Sequence, residues 1–356
     1  MVNFDANSIA LAFIGGLVIA FASSINFYFH GRITGMSGMF TSFLTLDESV
    51  GWKSCVLSGM ILTSGLAYFA YGFTQIAKGV YLLDPPAQFD LGVDTLVLIL
   101  AGFFVGIGTK LANGCTSGHG VCGLPRLSVR SLAAVLTFMA TANIAANLKY
   151  YLLPSVDQTV ETQYNGDVYA IIGLVLSVGV LLFNIVRNNR GASGLKDIFV
   201  SFAVGAIFGL GLLVSGMAKK SKVSGFLTFN SNWDPSLMFV MGGAVLFNLI
   251  SFNYMMRKMP KPVFAEKWNL PKNNKIDLKL IVGAILFGVG WGIGGICPGP
   301  AMLVSPVYAH SMLKFMGGMA LGNYSAQFIE KASEQSHQED SAKLIESGLQ
   351  KSSKAN

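Results

Sequence analysis

The fold of this chain is decided by the stretch Gly106-Ile-Gly-Thr-Lys110-Leu-Ala-Asn-Gly-Cys115-Thr-Ser-Gly-His119-Gly-Val-Cys122-Gly-Leu-Pro125-Arg126. It holds six glycines and a proline within an otherwise apolar region. Backbone freed from helical hydrogen bonds is tolerated at membrane depth only where it is buried in protein or lines a cavity. Glycine also permits close approaches that a β-carbon would forbid. The stretch therefore predicts a broken helix inside a membrane protein.

A second segment has the same character and reads Gly288-Val-Gly-Trp291-Gly-Ile-Gly-Gly-Ile-Cys297-Pro298-Gly299-Pro300. A shift of 182 residues aligns three pairs of identical residues, Gly106 with Gly288, Gly108 with Gly290 and Cys115 with Cys297. A shift of 187 residues aligns Ser37-Gly38 with Ser224-Gly225. The chain is therefore interpreted as an internal duplication.

The composition is that of a membrane protein, since 52% of the residues are hydrophobic, 12% are charged and the mean hydropathy is +0.55. Soluble proteins carry roughly 25% charged residues. Apolar windows that could cross about 30 Å of hydrocarbon predict nine spans, at 8–29, 54–76, 94–112, 129–150, 168–187, 197–217, 236–256, 279–297 and 311–329. The shorter stretch 36–46 predicts a re-entrant piece. The sequence thus predicts an all-α integral membrane protein of about nine transmembrane helices.

An odd number of spans separates the matching copies, so the second copy should be inverted in the membrane. The predicted organisation is a 4+1+4 inverted repeat with re-entrant half-helices. It comprises a first repeat at 8–165, a linking helix at 166–190, a second repeat at 191–329 and a polar tail at 330–356. The tail lacks the apolar content to pack and is expected to be disordered or loosely helical. Inverted repeats with interrupted helices point to a substrate site near the midplane.

Charges in the connecting loops predict the orientation. Two connections on one side hold ten Lys and Arg residues between Arg187 and Lys279, whereas their counterparts hold only Lys78 and Lys149. Because cytoplasmic loops carry the excess of positive charge, we expect the N-terminus outside, the C-terminus in the cytoplasm and the protein in the cell membrane. Basic patches interleaved with aromatic residues are absent, so nucleic acid is not expected as a partner.

The four cysteines are too few and too scattered for a disulfide framework. Cys115 and Cys297 occupy equivalent places in the two broken segments, which favours a function for both. Cys55 lies in an ordinary span and is interpreted as packing, while Cys122 stays open between packing and binding. No CxxC spacing supports zinc, and neither a metal nor a cofactor is predicted.

The run Asn-Gly-Cys115-Thr-Ser-Gly-His-Gly-Val-Cys122-Gly, with Gly-Gly-Ile-Cys297-Pro-Gly-Pro later, closely resembles the YeeE/YedE sulfur-transport family over about residues 10–328. The resemblance implies thiosulfate uptake, with cysteines in a central constriction passing the ion from thiol to thiol. Cys115 and Cys297 match two such positions. A third cysteine that some members carry is missing here, because residues 29–38 hold none. The family also suggests a small cytoplasmic sulfur-carrier protein as a partner.

The chemistry of these side chains suits a soft dianion. A neutral thiol is a weak donor, and transit needs binding that is strong enough for the ion to enter and weak enough for it to leave. Lys and Arg side chains are accordingly expected at the mouths, with Lys219 and Lys220 near one of them. The predicted substrate-binding and translocation residues are Cys115, Cys297, Gly114, Thr116, Ser117, His119, Cys122, Pro298, Gly299, Lys110, Arg32 and Lys222.

Two alternatives stay open. One is a transporter of another sulfur or selenium species. The other is a membrane thiol–sulfur transferase with Cys115 as nucleophile and His119 as its base. No acidic residue lies in either cysteine motif to orient the histidine, so we expect a transporter and not an enzyme. Acidic residues lie almost entirely in loops or the tail, so the sequence predicts no coupling-ion site.

Overall fold

The computed structural model describes residues 5–77, 80–86, 89, 95–152, 166–187, 192–231, 233–271 and 274–353. The chain is helical, with one short antiparallel hairpin of β1 (Gln75–Ala77) and β2 (Val80–Tyr81). The helices are α1 (Ala6–His30), α2 (Met36–Thr45), α3 (Val50–Tyr71), α4 (Thr95–Leu111), α5 (Val129–Leu152), α6 (Gly166–Arg187), α7 (Ala192–Ser215), α8 (Lys220–Leu227), α9 (Ser236–Lys258), α10 (Leu278–Gly294), α11 (Pro298–Val304) and α12 (Ala309–Ser353).

Six of the described helices are each long and apolar enough to cross a membrane, namely α1, α3, α5, α6, α7 and α9. Two bent pairs raise this number to eight. The first joins α4 to the segment Thr116–Arg126 at 45°, and the second joins α10 to α11 at 41°. The ninth predicted window, 311–329, lies within α12, which is not among these eight. The prediction of a polytopic helical membrane protein is therefore confirmed, with six to eight candidate spans.

The helix ends follow from local chemistry. The Asp5 side chain accepts hydrogen bonds from the Asn7 and Ser8 amides at the start of α1, and Asp277 accepts from Leu280 N at the start of α10. Such N-cap side chains satisfy amide groups that have no partner within the helix. At the other end, α10 stops at Gly295, whose φ of 67° is the left-handed conformation that glycine adopts readily.

The helix breaks lie where the glycine-rich motifs predict them. α4 ends at Leu111, and Asn113 follows with a positive φ of 56°. A π-helical segment then runs over Thr116–Gly123, followed by a 3₁₀ turn over Leu124–Arg126. In the second motif, α11 begins with Pro298 at its first position, where a missing N–H costs nothing and φ is already helical.

Glycines let the central helices pack backbone to backbone. A β-carbon on Gly106 of α4 would overlap the carbonyl oxygen of Met319 in α12. A β-carbon on Gly290 of α10 would lie 2.6 Å from the carbonyl oxygen of Ala101 in α4. Close approach of this kind is how small residues stabilise helix pairs in membranes. Consequently α4 and α10, which carry the two motifs, lie against each other at the centre.

The structure defines two features more closely than the sequence does, the end of α3 and the state of the tail. The window 54–76 is shorter at its end, because α3 stops at Tyr71 and the hairpin strand β1 follows. The tail beyond residue 330 continues α12 through Ser353. Of the two expected states, disordered or loosely helical, the structure has the helical one. Part of the charge evidence for the orientation, including Lys78, Arg190 and Lys272, lies outside the described residues.

Candidate functional site

The two helix breaks meet inside the protein. The Thr116 hydroxyl donates to the Cys297 sulfur at 3.6 Å, so a residue of the first motif contacts the cysteine of the second. Cys115, which precedes Thr116, and Cys297 are both buried, with 1% of their surface exposed. Each cysteine stands immediately before a helical segment, the π-helical segment for Cys115 and α11 for Cys297. The sequence prediction that both motifs contribute to one place is consistent with this contact.

A third element, the short helix α2, closes around the same point. The Cys115 sulfur lies 3.3 Å from the Ser117 hydroxyl oxygen. That oxygen in turn accepts a hydrogen bond of 3.0 Å from the backbone N–H of Met36, the first residue of α2. A β-carbon on Gly299 would lie 3.0 Å from the Met36 side chain. The sequence predicted α2 as a re-entrant piece, and its first turn contacts both motifs.

A small cavity of about 30 Å³ lies beside the two breaks. Its polar wall is formed by Cys115, Thr116 and Ser117. The remaining wall is apolar or backbone and comprises Ile19, Met36, Val121, Phe208, Leu212, Met217, Val240, Met241, Gly299 and Pro300. None of these described lining residues carries a charge. We call this space the inner cavity.

Trp291 is a residue of this site that the sequence prediction missed. It lies beside Cys297, and its buried indole N–H has no hydrogen-bond partner among the described residues. A buried donor without a partner is costly and calls for an explanation. The sequence signal for a role in the site was its place in the second glycine-rich motif. An aromatic residue there is as easily interpreted as a packing residue, and the Trp291 ring does stack on that of Phe287.

A much larger cavity of about 760 Å³ opens at the end of the protein where α1 finishes. We call it the vestibule. Its lining includes five basic side chains, those of Arg32, Lys53, Lys110, Arg126 and Arg130, and one acidic side chain, that of Asp47. Of these five, the sequence prediction named Arg32 and Lys110. The other three approach the vestibule from α3, the 3₁₀ turn and α5, which only the tertiary fold brings together.

The first motif separates the vestibule from the inner cavity. Gly114, Gly118 and His119 line the vestibule, whereas Cys115 to Ser117 line the inner cavity. A stretch of a few residues is therefore the wall between a wide basic chamber and a narrow, uncharged one. Such an arrangement can collect an anion from solution and pass it to a thiol-lined constriction.

Carboxylates moderate the vestibule charges. Arg130 lies 3.3 Å from Asp277 and Lys110 lies 3.7 Å from Glu330. Desolvation opposes ionisation of Asp277, but the Leu280 N–H and Arg130 outweigh it and lower the pKa of that carboxyl. Among the described residues Arg126 has no carboxylate within 4.0 Å, and its Nε donates to the Cys122 carbonyl oxygen. Arg126 is thus the vestibule cation whose charge is least balanced by nearby carboxylates.

His119 has a structural environment. Its Nδ1 lies 3.1 Å from the Ser131 hydroxyl and its Nε2 lies 3.2 Å from the carbonyl oxygen of Ala112. Both ring nitrogens are therefore engaged away from the thiols, and the imidazole is not placed to deprotonate Cys115. Cys122 is fully buried near Ser23 and Thr34. The structure does not bring Cys122 to the inner cavity.

Lys222 lies at the opposite end of the protein from the vestibule. Its amine donates to the Ser8 hydroxyl at 2.7 Å, at the start of α1. From Ser8 to His30, α1 rises about 33 Å at 1.5 Å per residue. Arg32, just beyond His30, and Lys222 therefore mark two separate ends, as the prediction of two mouths requires.

Two family models match the chain, one in each half. Residues 2–144 match a model described as sulphur transport, and residues 196–338 match one described as a family of unknown function (DUF6691). A protein of Xylella fastidiosa strain Temecula1, named a probable transporter, is 38% identical over 126 residues, which cover 35% of this chain and 83% of the relative. Another probable transporter, from strain 9a5c, is 29% identical over 37% of this chain and 89% of the relative. The thiosulfate transporter TsuA of Spirochaeta thermophila is 30% identical over 38% of this chain and 38% of its own length.

Proposed function

The chain belongs to the YeeE/YedE family of sulfur-transport membrane proteins, and from that premise we propose that it takes up thiosulfate through a path between Cys115 and Cys297. The observation that carries the proposal is the contact of the Thr116 hydroxyl with the Cys297 sulfur. This contact between the two motifs supports a path on which the two cysteines are successive stations.

The donors at that point support a soft anion as the substrate. Two thiols, the Thr116 hydroxyl and the Trp291 N–H surround it, and the inner cavity has no charged lining residue among those described. Weak neutral donors hold an anion briefly, whereas a buried Lys or Arg would hold a dianion too long for transit. The cationic vestibule, on the proposed cytoplasmic side, then attracts the anion out of the constriction and toward the cell interior.

The packing of the helices supports a 4+1+4 inverted repeat of 8–165, 166–190 and 191–329. The proposed repeat pairs α1 with α7, α3 with α9, α4 with α10 and α5 with α12. When each helix is replaced by its partner, the list of principal helix–helix contacts stays the same. The pair α4–α12 becomes α10–α5, and α3–α7 becomes α9–α1, while α1–α7 and α4–α10 map onto themselves. Among the described helices of at least 17 residues, α6 alone stands outside this exchange, as a linking helix would. The Temecula1 relative supports the same division, because the 126 residues that match this chain are 83% of its whole length, a stretch close to a single repeat in size.

We further propose that the N-terminus faces outward, that the C-terminus and the vestibule face the cytoplasm, and that the host is the cell membrane. The vestibule is lined in part by Asn269, Pro271 and Asn274 of the basic connection between α9 and α10, which the charge rule assigns to the inside. A small cytoplasmic sulfur-carrier protein could collect the released sulfur there.

The test is uptake of radiolabelled thiosulfate by cells that express the protein and lack their own thiosulfate uptake. We expect accumulation above that of cells with empty vector, reduced by excess unlabelled thiosulfate. Sulfite, sulfate and selenium compounds added as competitors separate thiosulfate from the alternative substrates. Accumulation no greater than in the vector control, for every one of these anions, would refute the proposal.

A further inference from the structure

A carboxylate near the start of a candidate span contacts a buried histidine. Asp197 is in the second turn of α7, and its Oδ1 lies 2.6 Å from Nε2 of His30 in the last turn of α1. The His30 side chain is 2% exposed and that of Asp197 is 29% exposed. Ionisable groups within candidate spans are costly and usually serve a function. No sequence pattern indicates this pair, because its members are far apart in the chain.

The hydrogen-bond network fixes where the proton of His30 must be. The Asn26 amide nitrogen donates to the Arg32 carbonyl oxygen at 3.3 Å, so the Asn26 amide oxygen is the atom that faces Nδ1 of His30 at 3.1 Å. An amide oxygen only accepts, so Nδ1 carries a hydrogen. In a neutral imidazole Nε2 would then be a bare acceptor.

Two bare acceptors do not approach to 2.6 Å. At 2.6 Å these two atoms fit a shared proton, which would give the pair one proton more than a neutral histidine beside a carboxylate. Loss of that proton would leave the Asp197 charge without its closest partner.

Arg32 links this pair to the vestibule. Its guanidinium Nη1 lies 3.6 Å from Asp197 Oδ1 and makes no hydrogen bond among the described residues. The same guanidinium lies 4.7 Å from the centre of the Trp52 ring, and both Arg32 and Trp52 line the vestibule. One cation thus stands between the His30–Asp197 pair and the chamber that would hold the anion.

We propose that the His30–Asp197 pair is a proton site coupled through Arg32 to anion binding in the vestibule. With the proton bound, His30 neutralises Asp197 and Arg32 is free to pair with the anion. When the proton leaves, Asp197 takes up Arg32 and the anion is released. Proton and anion therefore bind together, and each strengthens the binding of the other by the same factor.

Other groups near the pair do not replace this role. The thiol of Cys55 in α3 lies close enough to feel the Asp197 charge, and Lys53 in α3 lies close to Arg32. The connection between α9 and α10 faces His30 with the Phe264 ring, 5.7 Å away. On α7 itself Lys196 is exposed, as is Arg187 at the end of α6.

The advantage of moving a proton with the anion follows from the charges of the two ions. This inference rests on the proposed function. An interior-negative potential of 100 mV opposes inward movement of each negative charge by about 50-fold in concentration ratio. A dianion faces this factor twice. A proton that crosses by the same path as the anion removes one of the two factors, and release of both from the vestibule is favoured by the higher pH of the cytoplasm.

The experiment is calorimetric titration of the purified protein with thiosulfate at pH 6, 7 and 8, in buffers of different ionisation enthalpy. We expect proton uptake on binding and a Kd that rises by up to about tenfold per pH unit as the pair deprotonates. Asp197→Asn removes the carboxylate that contacts both His30 and Arg32, and this variant should bind thiosulfate without proton uptake, with the same Kd at each pH. His30→Gln should lose the pH dependence too, and His310→Gln, a histidine on α12 paired with Lys314, should retain it.

Each outcome has a defined meaning, given that size-exclusion profiles establish folding of the variants. Wild-type protein that binds thiosulfate without proton uptake and with one Kd at all three pH values overturns the proton site and leaves the proposed function standing. Retention of wild-type pH dependence in both Asp197→Asn and His30→Gln overturns it as well. A wild-type protein that binds none of the sulfur or selenium anions contradicts the proposed function itself.

Discussion

Burial does not distinguish Cys115 and Cys297 from the other two cysteines, because all four are buried. Neighbouring donors alone do not distinguish them either, since Cys122 also lies near hydrogen-bond donors. What sets Cys115 and Cys297 apart is their place at the two helix breaks, where the Thr116 hydroxyl of the first motif donates to the Cys297 sulfur of the second. On the proposed path, we interpret the donors beside these two sulfurs as the groups that an anion would share.

Trp291 tests that interpretation at a single atom. Trp291→Phe keeps the aromatic packing and removes the indole N–H. If that donor binds the anion, the loss should be about 1–3 kcal/mol, seen as a rise of roughly 5-fold to 150-fold in the KM of thiosulfate uptake. Trp268→Phe is the matched control, since Trp268 stacks on Phe27 outside both cavities. Equal KM values for Trp291→Phe and wild type would exclude Trp291 from the path.

Arg126 tests the role of the vestibule. Arg126→Gln removes the cation that has no carboxylate partner among the described residues. In inside-out membrane vesicles, where the proposed topology turns the vestibule toward the added thiosulfate, transport at low thiosulfate concentration should fall several-fold at low ionic strength, and the difference should shrink as salt screens the charges. Arg257→Gln, at the surface end of α9, should have little effect. A loss that is independent of salt would mean that Arg126 acts by packing rather than by attraction.

Sequence reasoning at this scale found the residues that lie inside the motifs. Cys115, Thr116 and Cys297 could be named because glycine and cysteine recur at equivalent positions. Lys53, Arg130 and the His30–Asp197 contact could not, since each depends on which distant helix lies alongside, and no local pattern carries that information.

Helix packing through glycine is a property of whole elements, and adjacent residues of α12 allow a matched test. A β-carbon on Gly318 would overlap the carbonyl oxygen of Ile99 in α4, whereas a β-carbon on Gly317 would meet nothing within 4 Å. Gly318→Ala should destabilise the protein by about 1–3 kcal/mol through overpacking. Gly317→Ala should be neutral or slightly stabilising, because alanine favours the helix.

Thermal unfolding of the purified variants, followed by intrinsic fluorescence, measures this difference. A lower Tm for Gly318→Ala alone is the expected result. If both variants unfold at the same temperature, the close approach of α4 and α12 is wrong.

The helix breaks were predictable, whereas their form was not. Six glycines and a proline between Gly106 and Arg126 predict a helix break. They do not predict that the backbone forms a π-helical segment at Thr116–Gly123. A π turn is stabilised by its surroundings rather than by intrinsic preference and is common at functional sites. The same limit applies to α3, which stops at Tyr71 because the chain turns into a hairpin that no apolar count can foresee.

At the scale of the whole molecule, the exchange of helix pairs predicts a definite membrane topology. Ser231, after α8, and Lys261, after α9, are exposed and should lie on opposite sides. The native cysteines are all buried, so a membrane-impermeant maleimide should report mainly on an added thiol. In intact cells Ser231→Cys should be labelled, and Lys261→Cys should be labelled only after permeabilisation. Labelling of Lys261→Cys alone in intact cells would invert the topology.

The most direct test of the thiol path is uptake by purified protein in liposomes. Radiolabelled thiosulfate would be supplied outside, and wild type compared with Cys115→Ala, Cys297→Ala and Cys55→Ala at equal reconstitution. Saturable uptake by wild type and Cys55→Ala, with loss of at least tenfold in each of the other two variants, is the predicted result. Wild-type rates in both Cys115→Ala and Cys297→Ala would contradict a path that runs between these two thiols.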